Sequence, residues 1–147
     1  MPRPVIIVMY HYVRPIADSP YPNLKGLEVE LFKKQLDYIL KKHRVISMAE
    51  LIGAIKHKKS PPQNALLLTF DDGYSDHFEY VFPILKRVGV QGSFFVPASP
   101  VLEHAVLDVN KIQFILAAAN DEEKITRELL ALLDTLRTKH ALKQNEV

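Results

Sequence analysis

The stretch Ala65–His77, ALLLTFDDGYSDH, ends an apolar run in two adjacent carboxylates, Asp71 and Asp72, followed by Gly73 and Tyr74. Two close carboxylates repel each other, so a cation or a proton must offset them. Such a pair suits a division of labour: one aspartate holds a metal ion, and the other stays free as a base for a metal-bound water. The same Asp-Asp-Gly is also an ordinary turn after a strand, with aspartate supplying Asx-turn hydrogen bonds. Side chains alternate along a strand and would send the two acids to opposite faces. At a strand end Gly73, free to adopt positive φ, permits a sharp turn that brings both to one opening. Tyr74 reads as lining that opening or as a core aromatic. His11 and His77 are the imidazoles placed to face it, each either a ligand or a hydrogen-bonded structural histidine.

The elements that position these residues follow from periodicity. Val5–Met9, a β-branched run, predicts a strand buried on both faces, as in parallel sheets. Pro15–Gly26 holds three prolines and reads as a loop. Phe32, Leu36, Ile39 and Leu40 predict a helix from Glu28 to Lys42. Arg44–Ser47 is a short strand candidate, and Ser47 with Glu50 forms a capping box ahead of the stripe Met48, Leu51, Ile52 and Ile55. The basic cluster Lys56–Lys59 reads as a solvated helix C-terminus. Ala65–Phe70 is the next buried strand. Phe78, Val81, Phe82 and Leu85 mark a helix in which Pro83 predicts a kink or a restart, with Gly89 as C-cap.

Gln91–Pro97 is a further strand. Val109, Ile112, Ile115 and Leu116 predict a helix from Asp108. Asn120 with Glu123 reads as a second capping box, opening a long amphipathic helix that carries Ile125, Leu129, Leu132, Leu133 and Leu136. This alternation is the α/β pattern, with parallel strands and right-handed crossovers. Ligand sites in such folds lie at the C-terminal ends of strands, where Asp71 and Asp72 fall.

A chain of 147 residues fits a single domain, 1–147. A net charge of only +2, evenly spread, argues against nucleic acid or an anionic membrane as partner. The lack of cysteine excludes disulfides and thiolate metal sites. No run approaches the roughly 18 apolar residues of a spanning helix. The first apolar run is too short for a secretory leader, so the expectation is a cytoplasmic chain.

The stretch LLLTFDDGY resembles the first signature motif of the polysaccharide deacetylases, the NodB-homology or carbohydrate esterase family 4 enzymes. VMYHYV, Val8–Val13, looks like the Tyr-His-x-Val opening of one branch of that family. LKRVGVQGSFFVP, Leu85–Pro97, is similar to the segment after the motif. Together they span Met9 to Pro97. The resemblance implies a partial, distorted (β/α) barrel and metal-dependent removal of N- or O-acetyl groups from a carbohydrate. It makes Asp71 the catalytic base and Asp72 a ligand of a divalent metal, usually zinc, with an acetylated carbohydrate as substrate.

The family's second motif supplies two histidines at i, i+4. None of His11, His43, His57, His77, His104 and His140 are four apart. Catalytic zinc ordinarily takes three protein ligands. The expectation is therefore the N-terminal part of such a domain, binding zinc weakly or not at all, with 107–142 as a helical insertion. A partial barrel leaves a sheet edge open, to be covered by the C-terminal helix or by a second copy through self-association. Two other classes stay open. One is a catalytically inactive fragment that binds carbohydrate or protein. The other is a Mg-dependent phosphoryl-transfer or receiver-like domain, disfavoured by a first strand that ends in Tyr10-His11-Tyr12 and not in acids.

Overall fold

The axis of the sheet is β3 (Ala65–Asp71), whose first six residues are all buried. The structure, a computed structural model, describes residues 4–119 and 121–140. β1 (Ile6–Tyr10) pairs with β3 in parallel, in register from Ile6 opposite Leu66 to Tyr10 opposite Phe70. On the other edge, β2 (Arg44–Val45) pairs with Ala65 and Leu66, while β4 (Ser93–Phe95) pairs with Thr69, Phe70 and Asp71, both in parallel. The acidic end of β3 therefore emerges between the ends of β1 and β4.

Parallel neighbours require crossovers, and helices supply them. α1 (Val29–Lys42) links β1 to β2, α2 (Met48–Lys56) links β2 to β3, and α3 (Phe82–Val88) links β3 to β4. Alternation puts Val8, Tyr10, Leu66, Leu68 and Phe70 on one face, where they meet Phe32, Leu36 and Ile39 of α1 and Val81, Ile84 and Leu85 beside α3. Tyr10 stacks on Phe70 at 5.3 Å and meets Phe32 edge-on at 5.2 Å. Each fully buried side chain of this kind stabilises the fold by roughly 1.5–3 kcal/mol.

Local signals hold where they act locally. The Ser47–Glu50 capping box forms: Ser47 Oγ accepts from the Glu50 amide at 3.1 Å, and Glu50 Oε2 accepts from the Ser47 amide at 2.8 Å. Gly89 closes α3 in the left-handed region, φ 71°. The restart at Pro83 takes a specific form. A π-helical turn (His77–Val81) precedes α3, its last bond running from the Phe82 amide to the His77 carbonyl. Pro83, which has no N–H to donate, then falls in the first turn of α3.

Several expectations are corrected. β1 is covered on one face only: Ile7 and Met9 are each 58% exposed. A β-branched run announces a strand but not how many of its faces find a layer. The open sheet edge, by contrast, agrees with the expectation: β1 has no second strand partner among the described residues, though a barrel itself is not shown. The two short strands are trimmed to Arg44–Val45 and Ser93–Phe95. In α2, Ile52 and Ile55 point outward, and the helix buries no residue fully.

After β4 come α4 (Ala98–Leu102), α5 (Asp108–Ala118) and α6 (Glu122–His140). The helix expected from Asp108 forms, but the stripe that marked it is not the face that packs. Val109, Ile112 and Ile115 are exposed, whereas Asn110 and Ala117 are buried and Phe114 packs beside Tyr12, Ile16 and Leu24. Asn120 lies outside the described residues, and with it the second capping box. The Lys124 amide is instead accepted by Asp121 Oδ1 at 2.9 Å. On α6, Ile125, Leu133 and Leu136 are half-buried, while Leu129 and Leu132 are exposed. Among the described residues no helix is long and apolar enough to cross a membrane.

Candidate active site

Asp71 is the last residue of β3 and pairs with Phe95. Alternation from Phe70 turns its side chain to the face opposite the main core. The chain then bends at once, with φ 72° at Asp72 and 64° at Gly73. Two successive left-handed residues are the pattern that Asp-Gly dipeptides favour in tight turns. Gly73 meets its expected role, but Asp72 shares it, at a cost of roughly 1 kcal/mol for a residue with a Cβ. The result is that Asp71 and Asp72 both line one opening of about 300 Å³, together with Phe95, Val96 and Pro97. A Cβ added to Gly73 would lie 2.7 Å from Val96 Cγ1, so backbone and neighbour both require glycine.

The two acids differ in their partners. Asp71 makes no side-chain hydrogen bond or ion pair among the described residues. Asp72 Oδ2 accepts from the Tyr74 hydroxyl at 2.6 Å. Tyr74 is stacked on Tyr12 at 4.3 Å. Asn110 Nδ2 donates to both phenols, at 2.7 Å to Tyr74 and 3.1 Å to Tyr12. Burial first, then the bond to Asp72, raises the Tyr74 phenol well above the ordinary tyrosine range, so it stays a neutral donor.

His77 is buried, and its Nε2–H donates to the His11 carbonyl at 2.7 Å, leaving Nδ1 with no hydrogen-bond partner among the described residues. It lines a second cavity of about 230 Å³ with Gly73, Tyr74, Phe78, Phe82, Phe94 and Val96. The side chain of His11 is exposed. The fold thus brings Asp71 and Asp72 to one opening and places Gly73, Tyr74 and His77 around the adjoining cavity. His11 contributes its backbone oxygen. Past the acids, Arg14 Nε pairs with the buried Asp76 Oδ2 at 2.6 Å, and its guanidinium lies over the rings of Tyr12 and Phe114.

Sequence reasoning missed Tyr12, Asn110 and the Arg14–Asp76 pair. For Asn110 one signal existed: with Phe114 and Ala117 it forms an i, i+4, i+7 stripe, overshadowed by the more apolar stripe beside it.

Among the described residues, no three histidine, aspartate or glutamate side chains converge as metal ligands. The acidic pair offers two carboxylates, one of whose oxygens is engaged by Tyr74. These residues alone do not fit a three-ligand zinc centre.

Residues 58–128 match the family model described as polysaccharide deacetylase, a span from just before β3 into α6. The chain is 25% identical over 100 residues to "Putative polysaccharide deacetylase YxkH" of Bacillus subtilis (strain 168), covering 65% of this chain and 32% of that protein. Among solved structures it resembles a de-N-acetylase from Aggregatibacter actinomycetemcomitans, at 25% identity and a TM-score of 0.55, over 69% of this chain and 40% of that one. IcaB from Ammonifex degensii is similar at 29% identity and a TM-score of 0.55, over 65% and 39%. The Streptococcus pyogenes deacetylase PplD, solved with acetate, shares the fold at 23% identity and a TM-score of 0.60, over 76% and 51%. The chain thus spans about a third of the curated relative and 39% to 51% of these solved chains.

Proposed function

We propose that this chain, related to the polysaccharide deacetylases, carries the acidic part of a centre that hydrolyses acetyl amides or esters on a carbohydrate. Asp71 is the base and Asp72 a ligand of a divalent metal, with zinc the first candidate. The observation that carries this reading is the shared opening lined by Asp71 and Asp72, made by two consecutive left-handed residues at the end of β3. An ordinary strand would separate the two acids; here backbone strain is accepted at the position where they converge, as functional sites often do.

The different partners of the acids support different roles. Asp71 has no hydrogen-bonded neighbour among the described residues, which suits the role of base. Asp72, held through one oxygen by Tyr74, is fixed in orientation and keeps its other oxygen available. Among the described residues no further histidine or acid joins Asp71 and Asp72 to make a three-ligand set, and the open sheet is compatible with part of a distorted (β/α) barrel.

The test is acetate release from an N-acetylated oligosaccharide, with and without chelator, alongside zinc content after dialysis. This chain should retain far less than about one zinc per chain and release acetate at background. Robust, chelator-sensitive release would overturn its incompleteness. Zinc bound in a titration equally well by Asp72→Asn and by the unaltered chain would overturn the role of Asp72. A second reading, a carbohydrate-binding remnant without catalysis, is favoured by the shortage of ligands among the described residues. It predicts saturable binding of the oligosaccharide that neither Asp71→Asn nor Asp72→Asn disturbs.

A further inference from the structure

We infer that Asn110 is a positioning residue for Asp72, acting through the hydroxyl of Tyr74. Its consequence for catalysis rests on the function proposed above; its structural content does not. α5 turns Val109, Ile112 and Ile115 to solvent and buries an amide, Asn110, at 6% exposure. A buried amide without partners is costly, so a helix docked in this way must satisfy it. Both hydrogens of Asn110 Nδ2 have acceptors, the hydroxyls of Tyr12 and Tyr74.

The direction of these bonds decides what Asn110 does. A phenol has one hydrogen to give. Because the Tyr74 oxygen accepts from Asn110, its own hydrogen is left for Asp72 Oδ2, at 2.6 Å. The order amide, phenol, carboxylate polarises each bond in the same sense and ends on a charge, which makes the last bond the strong one. The rings cannot easily swing away: Tyr74 is stacked on Tyr12, and Phe114, one turn along α5, meets Tyr12 edge-on at 5.9 Å. α5 thereby fixes the rotamer of an aspartate whose left-handed backbone alone would not fix it.

A nearly isosteric change separates this role from packing. Asn110→Asp keeps the shape but cannot donate, and it competes for the Tyr74 hydrogen. The experiment follows the carboxylate carbon resonance of Asp72 in carbon-13-labelled protein. Asn110→Asp should move it, although residue 110 makes no hydrogen bond to Asp72. Should the buried charge prevent folding, Asn110→Ala takes its place and should move the resonance too. In a Tyr74→Phe background, neither substitution at 110 should shift it further.

A resonance unmoved by both variants, or moved equally with and without the Tyr74 hydroxyl, overturns the inference. Zinc titration of the same proteins keeps the two claims apart. Zinc that binds Asp72→Asn as well as the unaltered chain removes the metal-ligand reading, while the Asp72 resonance still decides the role of Asn110.

Discussion

The Tyr74 hydroxyl donates to Asp72 Oδ2 across 2.6 Å, bridging the two residues that flank Gly73. Burial, then this bond, holds the phenol proton in the folded protein beyond its ordinary pKa of 10.0. The sign follows from linkage. The unfolded chain ionises Tyr74 near pH 10 while the folded chain keeps it protonated, so the contribution is fully present below that pH and is lost as pH rises toward the folded value. Tyr10, raised by burial, acts in the same direction. Denaturant midpoints should hold steady up to about pH 9 and fall above about pH 10. Tyr74→Phe should shallow that alkaline fall and lower neutral stability by about 1 kcal/mol. An unchanged alkaline slope would show that the phenol is not held protonated by the fold.

Gly73 is constrained twice, by φ 64° and by Val96 Cγ1, which would lie 2.7 Å from a Cβ at this position. Gly73→Ala should destabilise by about 1–3 kcal/mol. Adding Val96→Ala should relieve the contact but not the backbone strain, so recovery should be partial. Urea denaturation of the two variants reads both effects, and full recovery would assign the cost to Val96 alone.

Arg14 and Asp76 form an ion pair whose acid is 5% exposed, and it joins the loop after β1 to the helical turn beyond the acids. Removing the cation strands a buried carboxylate. Arg14→Met should therefore cost about 3 kcal/mol. The double variant with Asp76→Leu should be more stable than Arg14→Met alone. Additive losses in the denaturation cycle would mean that the two charges do not depend on each other.

The face on which α5 docks gives a sharper contrast. Phe114 meets Tyr21 edge-on at 4.8 Å and packs with Tyr12, whereas Val109, Ile112 and Ile115 are each more than half exposed. Phe114→Ala should lower stability by about 2–4 kcal/mol. Ile112→Gln and Ile115→Gln should each stay within about 0.5 kcal/mol. A reversed order would mean that the aliphatic stripe is the docked one.

These contrasts also mark how far the sequence could be read. The bounds of α1, the Ser47–Glu50 box, the Gly89 cap and the acidic end of β3 were legible because each is set by residues within a turn or two of one another. The face used by α5 was not. Asn110 is satisfied by Tyr12 and Tyr74, far away in the chain, and such partners leave no periodic trace. Periodicity favoured the stripe Val109, Ile112 and Ile115, since it counts apolar residues and cannot count hydrogen-bond partners. β1 failed for a related reason: a β-branched run suits a covered strand but cannot say whether the layer that would cover Ile7 and Met9 is present. At the acids, Gly73 announced the turn, while the left-handed Asp72 and its bond to Tyr74 depend on how the following residues are held.

The central claim is that the opening at the end of β3 presents Asp72 to a divalent ion and leaves Asp71 free. Its most direct test is a zinc titration of the whole chain, read at the carboxylate carbons of both aspartates. The account predicts a weak, saturable shift at Asp72 that Asp72→Asn abolishes and Asp71→Asn preserves. Zinc that perturbs only residues elsewhere, such as His57, or binds Asp72→Asn unchanged, would contradict it.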